Sequence, residues 1–297
     1  MLSDCSVIVT GAGGFLGSVV AGYFAGLGVR VVRTGHRRAS DSRLVQVDLE
    51  DDGSVATLAR HGPFDAVIHC AAVLPGQRSD LDLLIANQRM TYHLATWTVR
   101  NGIGCFLYAS TCSIYGYSGH ACTEATLPQS PNLYAVSKLA CEHILSLVTR
   151  QSKTRVCSLR ISAPYGPNQQ NETVVTRFLK QASQGMPLRL MGSGSRSQDF
   201  VYQEDVARAF YLALQHKAVG VFNISGDRSV SMRELCEAVL RIFGKSPAGN
   251  ILTGGDDPQE SFRGRFPVQA ASNSFGYRSQ VSLEVGLLKT AQGLGLL

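Results

Sequence analysis

Two side chains with complementary acid–base chemistry stand four residues apart, at Tyr134 and Lys138. Residues at this spacing lie on one face of a helix. A free phenol has a pKa of about 10, and a fixed cation beside it favours the phenolate, which makes proton exchange with a sugar or alcohol hydroxyl feasible. The pair is therefore a candidate proton-transfer centre, although the same spacing also occurs in exposed helix pairs that do no chemistry.

Hydroxyl side chains gather at the end of a predicted buried strand shortly before this pair. The apolar run 105–109 leads into Ser110, Thr111 and Ser113. Doubly wound folds keep their chemistry at the carboxyl ends of strands, where a hydroxyl can donate to a substrate oxygen that changes between alcohol and ketone. Ser110 and Thr111 are therefore candidate substrate-binding residues. The alternative is that these hydroxyls only form a turn.

A glycine-rich turn follows the first predicted strand directly and opens a helix. Gly11 permits the tight turn, Gly14 lets the backbone approach a phosphate, and Gly17 lets the helix pack on the strand. The free N–H groups at the start of this helix, around Phe15 and Leu16, suit a dinucleotide pyrophosphate. The alternative is a tight strand-to-helix connection without a ligand, but the position directly after the opening strand favours a dinucleotide site.

The end of the second predicted strand bears on the identity of the dinucleotide. NAD is recognised there by a carboxylate on its ribose, but the expected position is Gly35, followed by His36, Arg37 and Arg38. A guanidinium fork matches the geometry of a 2′-phosphate. We therefore expect NADP in preference to NAD, unless the two arginines only form a solvated turn.

Asp48 and Leu49 follow the third predicted strand and are candidates to frame an adenine ring. The Asp48 carboxylate would then accept a hydrogen bond from the exocyclic amine. The alternative is that Asp48 only caps the next helix.

Short β-branched runs alternate with longer amphipathic stretches through the first half of the chain. This pattern predicts an α/β fold, a Rossmann-like doubly wound parallel sheet with a smaller C-terminal substrate-binding lobe. We assign 1–166 to the dinucleotide-binding domain, with 198–225 returning to it, and 167–197 and 226–297 to the lobe. The predicted strands are 6–10, 29–32, 43–47, 66–69, 105–109 and 155–160, and the predicted helices are 15–27, 82–101, 135–149, 174–185 and 231–243.

Composition excludes several other classes of protein. The 28 Lys and Arg exceed the 22 Asp and Glu, but they are scattered, whereas nucleic-acid binding needs a basic stripe. The eight cysteines form neither CxxC pairs nor Cys/His clusters, so we expect reduced thiols and no metal site. No apolar stretch could span a bilayer, and no secretory leader is evident, so we expect a cytoplasmic protein that binds neither membranes nor nucleic acid.

The chain resembles the extended short-chain dehydrogenase/reductases, the NAD-dependent epimerase/dehydratase family that acts mostly on nucleotide sugars. The likeness covers nearly the whole length and rests on the glycine turn, 48–49, 69–72, Asn87, 110–116, 123–124, 159–167, 199–206 and 223–226. It implies that Thr111 is the catalytic hydroxyl, Tyr134 the base and Lys138 its partner. It also implies that Ala71, Ala72 and Asn87 belong to the cofactor site, and that the protein is a homodimer through the helices 82–101 and 134–149.

One departure from the family pattern concerns the reaction. The sugar-nucleotide 4,6-dehydratases carry Asp-Glu directly after the catalytic hydroxyl, whereas this chain has Cys112 and Ser113. Elimination of water needs an acid and a base, so 4,6-dehydration is disfavoured. The resemblance then leaves 4-epimerisation or reduction of a keto sugar. Cys112 could be an acid, but a buried thiol is the simpler interpretation.

A second departure concerns the substrate. Family members often have an Asn at the position of Ala163 and an Arg at the position of Gln198. Arg196, and Arg263 or Arg265, could replace that grip on a diphosphate. The alternatives are that Arg196 is an ordinary surface residue and that the enzyme reduces a carbonyl compound without a nucleotide. A third hypothesis is a protein that senses NADP without turnover, which the intact Thr111, Tyr134 and Lys138 oppose.

Overall fold

The computed structural model of this protein describes residues 2, 4–36, 44–169 and 171–297. The strands are β1 (Ser6–Thr10), β2 (Arg30–Gly35), β3 (Leu44–Gln46), β4 (Ala66–His69), β5 (Cys105–Thr111), β6 (Arg155–Ile161), β7 (Ala163–Tyr165), β8 (Leu188–Leu190), β9 (Ser197–Tyr202), β10 (Gly220–Ile224), β11 (Ser229–Ser231), β12 (Ile251–Thr253) and β13 (Arg263–Gly264). The α-helices are α1 (Phe15–Gly26), α2 (Asp52–Ala56), α3 (Asp80–Arg100), α4 (Leu133–Thr149), α5 (Val174–Ser183), α6 (Gln203–Gln215), α7 (Met232–Ile242), α8 (Gln269–Phe275) and α9 (Leu283–Gly293). Short 3-10 helices cover Thr57–His61 and Cys112–Tyr115.

The central sheet is parallel throughout and confirms the predicted doubly wound fold. Its order is β10-β6-β5-β4-β1-β2-β3, so the strand order reverses between β1 and β4. A parallel sheet is covered on both faces, and its central strands β1, β4 and β5 are accordingly buried along their whole length. Helices α1 and α6 cover one face around Val7, Val9 and Phe210, whereas α3 and α4 cover the other around Ile8 and Phe106.

The lobe consists of two small sheets and three helices. In one sheet β9 pairs with β7, β11 and β13, and in the other β8 pairs with β12. Helices α5, α7 and α9 pack against these sheets around Phe178, Leu235 and Leu287. The lobe therefore has its own apolar core beside the carboxyl ends of the central sheet.

The chain passes between the two bodies more than once, and the limits assigned to them stay a prediction. Strand β9 pairs with β7, β11 and β13, and its Val201 packs in the core that α1 and α6 form with the central sheet. Within the segment 226–297, α8 leaves the lobe, because Phe275 packs edge-on against Phe222 of β10 with 5.1 Å between ring centroids. In the part of the chain that the structure describes, no helix is both long enough and apolar enough to span a membrane.

Candidate active site

A cavity of about 790 Å³ opens where the strand order reverses, at the carboxyl ends of the central strands. Its lining comes from the carboxyl ends of the central strands, from the loops that follow them, from helices α1, α3 and α4, and from residues at and after β7. The residues are Gly11, Gly14, Phe15, Leu16, Gly17, Thr34, Gly35, His36, Val47, Asp48, Leu49, Glu50, Cys70, Ala71, Ala72, Val73, Leu74, Gln77, Arg78, Met90, Ala109, Ser110, Tyr134, Lys138, Ile161, Pro164, Gln169 and Asn171. Most of the predicted cofactor residues therefore meet in one space.

The glycine turn lines one side of this cavity, and at Gly11 and Gly17 it has no room for a side chain. Gly11 has a φ of +65°, and a Cβ there would lie 2.8 Å from the backbone of Ala71. A Cβ on Gly17 would lie 2.5 Å from the carbonyl carbon of Gly11. The helix start at Gly14 has no side-chain cap, which leaves its first N–H groups for an anion. The turn therefore fits a dinucleotide pyrophosphate.

The adenosine end of the cavity contains the predicted Asp48. Its Oδ1 accepts from the backbone N–H of Glu50 at 2.9 Å and lies 3.8 Å from Nδ1 of His36. The alternative role as a helix cap does not apply, because Asp51 caps α2 through its side chain. Arg37 and Arg38, on which the NADP prediction rests, lie outside the described residues.

An ion pair that the sequence analysis did not predict spans the same end of the cavity. Arg78 Nη1 lies 2.7 Å from Glu50 Oε1, and both side chains line the cavity. Arg78 precedes α3, whereas Glu50 follows β3, so the pair joins two loops. The sequence carries no local signal for it, since the partners are far apart along the chain.

Asn87 does not reach the cavity lining but holds the loop that does. Its side chain accepts from the backbone N–H of Val73 at 2.7 Å and donates to the Val73 carbonyl and to Ser137 Oγ. Ser137 in turn donates to the carbonyl of Tyr134 at 2.7 Å. Asn87 therefore connects the cofactor loop to the helix of the predicted base, although the resemblance implied direct cofactor contact.

His69 continues this buried polar chain toward the glycine turn. Its Nδ1 lies 2.7 Å from Thr10 Oγ1, and its Nε2 lies 3.3 Å from Thr91 Oγ1. The Thr91 hydroxyl donates its hydrogen bond to the Asn87 carbonyl or to the Cys141 sulfur. Its oxygen is then the acceptor toward His69, so Nε2 of His69 is the nitrogen that carries the proton. Burial lowers the pKa of His69 to about 3, and the ring is therefore neutral.

Tyr134 and Lys138 lie on the first turns of α4 and both line the cavity. Burial raises the pKa of Tyr134 to about 12 and lowers the pKa of Lys138 to about 8. Lys138 Nζ lies 4.4 Å from the centroid of the Tyr108 ring. Burial therefore favours the neutral phenol of Tyr134 over the phenolate.

Thr111 ends β5 beside this helix but outside the described cavity lining. Its Oγ1 accepts from the backbone N–H of Ser113 at 3.1 Å and donates to Ser113 Oγ at 3.0 Å. The Thr111 side chain therefore caps the following 3-10 helix. This agrees with the alternative interpretation, in which the hydroxyl forms a turn. Cys112 is buried, its thiol donates to the Arg160 carbonyl, and burial raises its pKa well above the ordinary value.

The predicted substrate arginines are engaged within the lobe. Arg196 Nε lies 3.2 Å from Asp257 Oδ2, and Arg196 Nη1 donates to Gln259. Arg263 donates to the carbonyls of Glu260 and Phe262. Neither arginine lines the described cavity, so the structure does not bring them together with Ser110 and the cofactor residues.

A buried ion pair under the strand end was missed by the sequence analysis. Arg160 of β6 meets Glu142 of α4 through two hydrogen bonds, and Ser110 donates to the same carboxylate. A signal was available, because Glu142 follows Lys138 by one helical turn on a face that is otherwise buried.

Comparison with known proteins identifies the family of this fold and site. The NAD dependent epimerase/dehydratase family matches residues 7–225, and the chain belongs to this family, the extended short-chain dehydrogenase/reductases. A UDP-glucuronate 4-epimerase from Thermodesulfobacterium geofontis is 24% identical over 309 residues, 95% of this chain and 94% of the relative.

Two further proteins, one known by sequence and one by its crystal structure, are similar to this chain. A trifunctional UDP-glucose 4,6-dehydratase, 3,5-epimerase and reductase from Arabidopsis thaliana is 27% identical over 259 residues. The match covers 84% of this chain but only 38% of that protein. The crystal structure of a UDP-glucose 4-epimerase from Thermus thermophilus in complex with NAD has a TM-score of 0.84 and 27% identity. It covers 98% of this chain and 99% of that one.

Proposed function

We propose that this protein is an NAD(P)-dependent oxidoreductase or epimerase that acts on a nucleotide-activated sugar. The observation that carries the proposal is that Tyr134 and Lys138 line the same cavity as the glycine turn. The bound nicotinamide would supply or accept the hydride. Tyr134 would exchange a proton with the reacting oxygen, Thr111 would donate to that oxygen, and Lys138 would hold the nicotinamide ribose.

The neutral phenol suits the reductive direction in particular. With a pKa of about 12, Tyr134 can donate a proton to a carbonyl oxygen, whereas its use as a base requires that ligands lower this pKa. The decisive experiment is turnover of UDP-, GDP- and dTDP-sugars and their 4-keto forms by parent enzyme and Tyr134→Phe. Unchanged rates in Tyr134→Phe would instead support a protein that binds NADP without catalysis.

The chemistry after Thr111 favours 4-epimerisation or 4-keto reduction over 4,6-dehydration. Cys112 is turned into the core, and Ser113 has no carboxylate, so the acid and base of a dehydratase are missing at these positions. Relatives include 4,6-dehydratases, so a direct assay is needed. We expect no loss of water from UDP-glucose or dTDP-glucose by mass spectrometry, and a dehydrated product would contradict this assignment.

We propose NADP as the cofactor on the basis of the sequence that follows β2, although a similar protein has been crystallised with NAD. Gly35 contributes no carboxylate at the end of β2, and the sequence continues from His36 into Arg37 and Arg38. We expect tighter binding of NADP than NAD by calorimetric titration. The substitution Arg38→Glu should reverse the order, whereas Arg150→Glu, an exposed control, should not. Equal or tighter binding of NAD by the parent would refute the NADP assignment.

A carbonyl substrate without a nucleotide is the second candidate. Gln198 occupies the usual arginine position, and Arg196 is already paired with Asp257. A thermal-shift comparison of UDP, UDP-glucose and inorganic diphosphate separates the two candidates, because a ligand of the folded state raises the melting temperature. Stabilisation by UDP and UDP-glucose supports the nucleotide-sugar assignment, and indifference to all three supports the second candidate.

An exposed apolar stripe on α3 and α4 supports a homodimer. Leu81, Ile85 and Tyr92 on α3 and Val136 and Leu147 on α4 are all exposed, and they recur at helical spacing on two helices that pack together. We expect a dimer by light scattering and a monomer when Tyr92 and Leu147 are both changed to Glu. Leu127→Glu, at an exposed loop position, is the matched control and should remain dimeric.

Localisation in the cytoplasm is part of the same proposal. All eight cysteines are free, and six of them are buried, as expected where thiols stay reduced. Fractionation of cells that express the chain with a terminal tag would test this location.

A further inference from the structure

Glu142 lies at the crossing of three elements that carry the proposed chemistry. Its Oε1 accepts from Ser110 Oγ at 2.5 Å and from Arg160 Nε at 3.1 Å, and its Oε2 accepts from Arg160 Nη2 at 2.7 Å. All three side chains are buried. Glu142 stands one helical turn after Lys138 on α4, and Ser110 directly precedes Thr111 on β5. One carboxylate therefore connects the strand end of Thr111 with the helix of Tyr134 and Lys138.

The cation of this pair is held from its other side as well. Arg160 Nη1 donates to Tyr115 Oη at 2.8 Å, and Tyr115 Oη donates to Asn223 Oδ1 at 2.9 Å. The 3-10 helix after Thr111 thus ends on the same arginine, which also lies over the Tyr115 ring. Both ends of the segment Thr111–Tyr115 are therefore attached to the Glu142–Arg160 pair, one through Ser110 and the other through Tyr115.

We propose that Glu142 is a positioning residue that holds the Thr111 hydroxyl in register with Tyr134 and Lys138. This inference rests on the proposed function. Buried ion pairs contribute little net stability compared with apolar residues of similar volume, so stability alone does not explain this pair. The position of the pair does explain it, because displacing a reacting group by about 1 Å slows a reaction by about 100-fold. Ser110 then acts through Glu142, and its hydroxyl is not a substrate ligand.

The test removes the attachment without leaving a buried charge. The double substitution Glu142→Leu with Arg160→Met replaces both charges by apolar side chains and should keep a melting temperature near that of the parent. We expect kcat to fall by about 100-fold while the substrate KM and the cofactor Kd change by less than about threefold. Ser110→Ala, which leaves the ion pair intact, should lower kcat by about tenfold.

Non-additivity separates positioning from substrate contact. Ser110→Ala added to the double variant should cause no further loss, because both changes remove the same attachment. Ser158→Ala, a buried serine on β6, is the matched control and should keep the parent kcat. A folded double variant with kcat within about threefold of the parent would overturn the proposal, as would an additive effect of Ser110→Ala expressed in KM.

A measurement without substrate keeps this test independent of the proposed function. Hydrogen exchange in peptides covering 111–116 should become faster in Ser110→Ala and in the double variant, and stay unchanged in β1. If the parent turns over none of the sugars, the proposed function fails, but faster exchange would still support the attachment. Unchanged exchange at 111–116 in Ser110→Ala refutes the attachment whether or not the double variant folds.

Discussion

Gly17 is the position where one added methyl group tests the reasoning about the cofactor turn most directly. In Gly17→Ala the new Cβ would lie 2.5 Å from the Gly11 carbonyl carbon and 3.0 Å from the Ala12 nitrogen, and closer still to the Gly11 oxygen. Ordinary carbon contacts begin at about 3.5 Å, so α1 and the turn must separate by about 1 Å. The turn cannot yield sideways, because Gly11 already lies against the backbone of Ala71.

The expected cost follows from this displacement. Overpacking of this kind destabilises a protein by about 1–3 kcal/mol, which for a chain of this length lowers the melting temperature by about 2–5 °C. The separation also moves the N–H groups of the helix start away from the pyrophosphate. We therefore expect the cofactor Kd of Gly17→Ala to rise by about tenfold or more, which corresponds to about 1.4 kcal/mol.

Gly22 on the same helix provides the matched control. It is exposed, and a Cβ there would meet no atom within 4 Å. Gly22→Ala should therefore stabilise the helix by about 0.5–1 kcal/mol and leave the cofactor Kd unchanged. Thermal unfolding and calorimetric titration with NAD and NADP measure both quantities. If Gly17→Ala and Gly22→Ala behave alike in both assays, the steric account of the turn is wrong.

Three further predictions follow from charged groups. First, Lys138 has a pKa of about 8 in the folded protein, against 10.5 ordinarily. As the pH rises, Lys138 therefore loses its proton in the folded state before it does so in the unfolded state, and the free-energy cost of burying the cation disappears. The stability advantage of Lys138→Met over the parent should thus shrink by about 1 kcal/mol between about pH 8 and about pH 9 in urea unfolding, and a constant difference would contradict the shifted pKa. Second, Arg78→Gln breaks the ion pair with Glu50 across the adenosine end, so stopped-flow measurements should show faster cofactor dissociation, whereas Arg100→Gln, whose ion pair with Asp52 lies outside the described cavity lining, should match the parent. Third, the Asp205 carboxylate accepts from Arg208 and from the backbone N–H groups of Gln280 and Val281, so Asp205→Asn should cost about 3 kcal/mol in urea unfolding, while Glu204→Gln, in an exposed pair, should cost less than about 1 kcal/mol.

Six of the seven strands of the central sheet were predictable because each gives a local signal, whereas β10 was not predicted. Strands β1 and β4 have the predicted bounds. The short strands of the lobe, such as β8 and β13, were not predicted, because two or three residues show no periodicity. Helix α6 was also missed, although Val206, Phe210 and Leu214 recur at helical spacing.

The residues of the candidate site divide in the same way into short motifs, which the sequence shows, and contacts between distant positions of the chain, which it does not show. The glycine turn and the Tyr134–Lys138 pair are short motifs, and the sequence alone places them correctly on a turn and a helix. Arg196 was a candidate substrate ligand because it is a cation near the position of the missing family arginine. The sequence did not indicate its partner Asp257, which lies 61 positions later in the chain. Sequence periodicity does not say which buried charges meet. The pairing of Glu142 with Arg160 therefore became evident only from the packing of α4 beside β6.

The path of the chain through α6, β10 and α8 sets a limit on how this protein can be divided. A fragment that ended at Gly166 would lose β10, the neighbour of β6, and expose a row of unpaired backbone groups along that strand. It would also uncover the face of α1 that α6 covers. Such a fragment is expected to aggregate. The two bodies are therefore interleaved along the chain, and the lobe cannot be exchanged as one continuous segment.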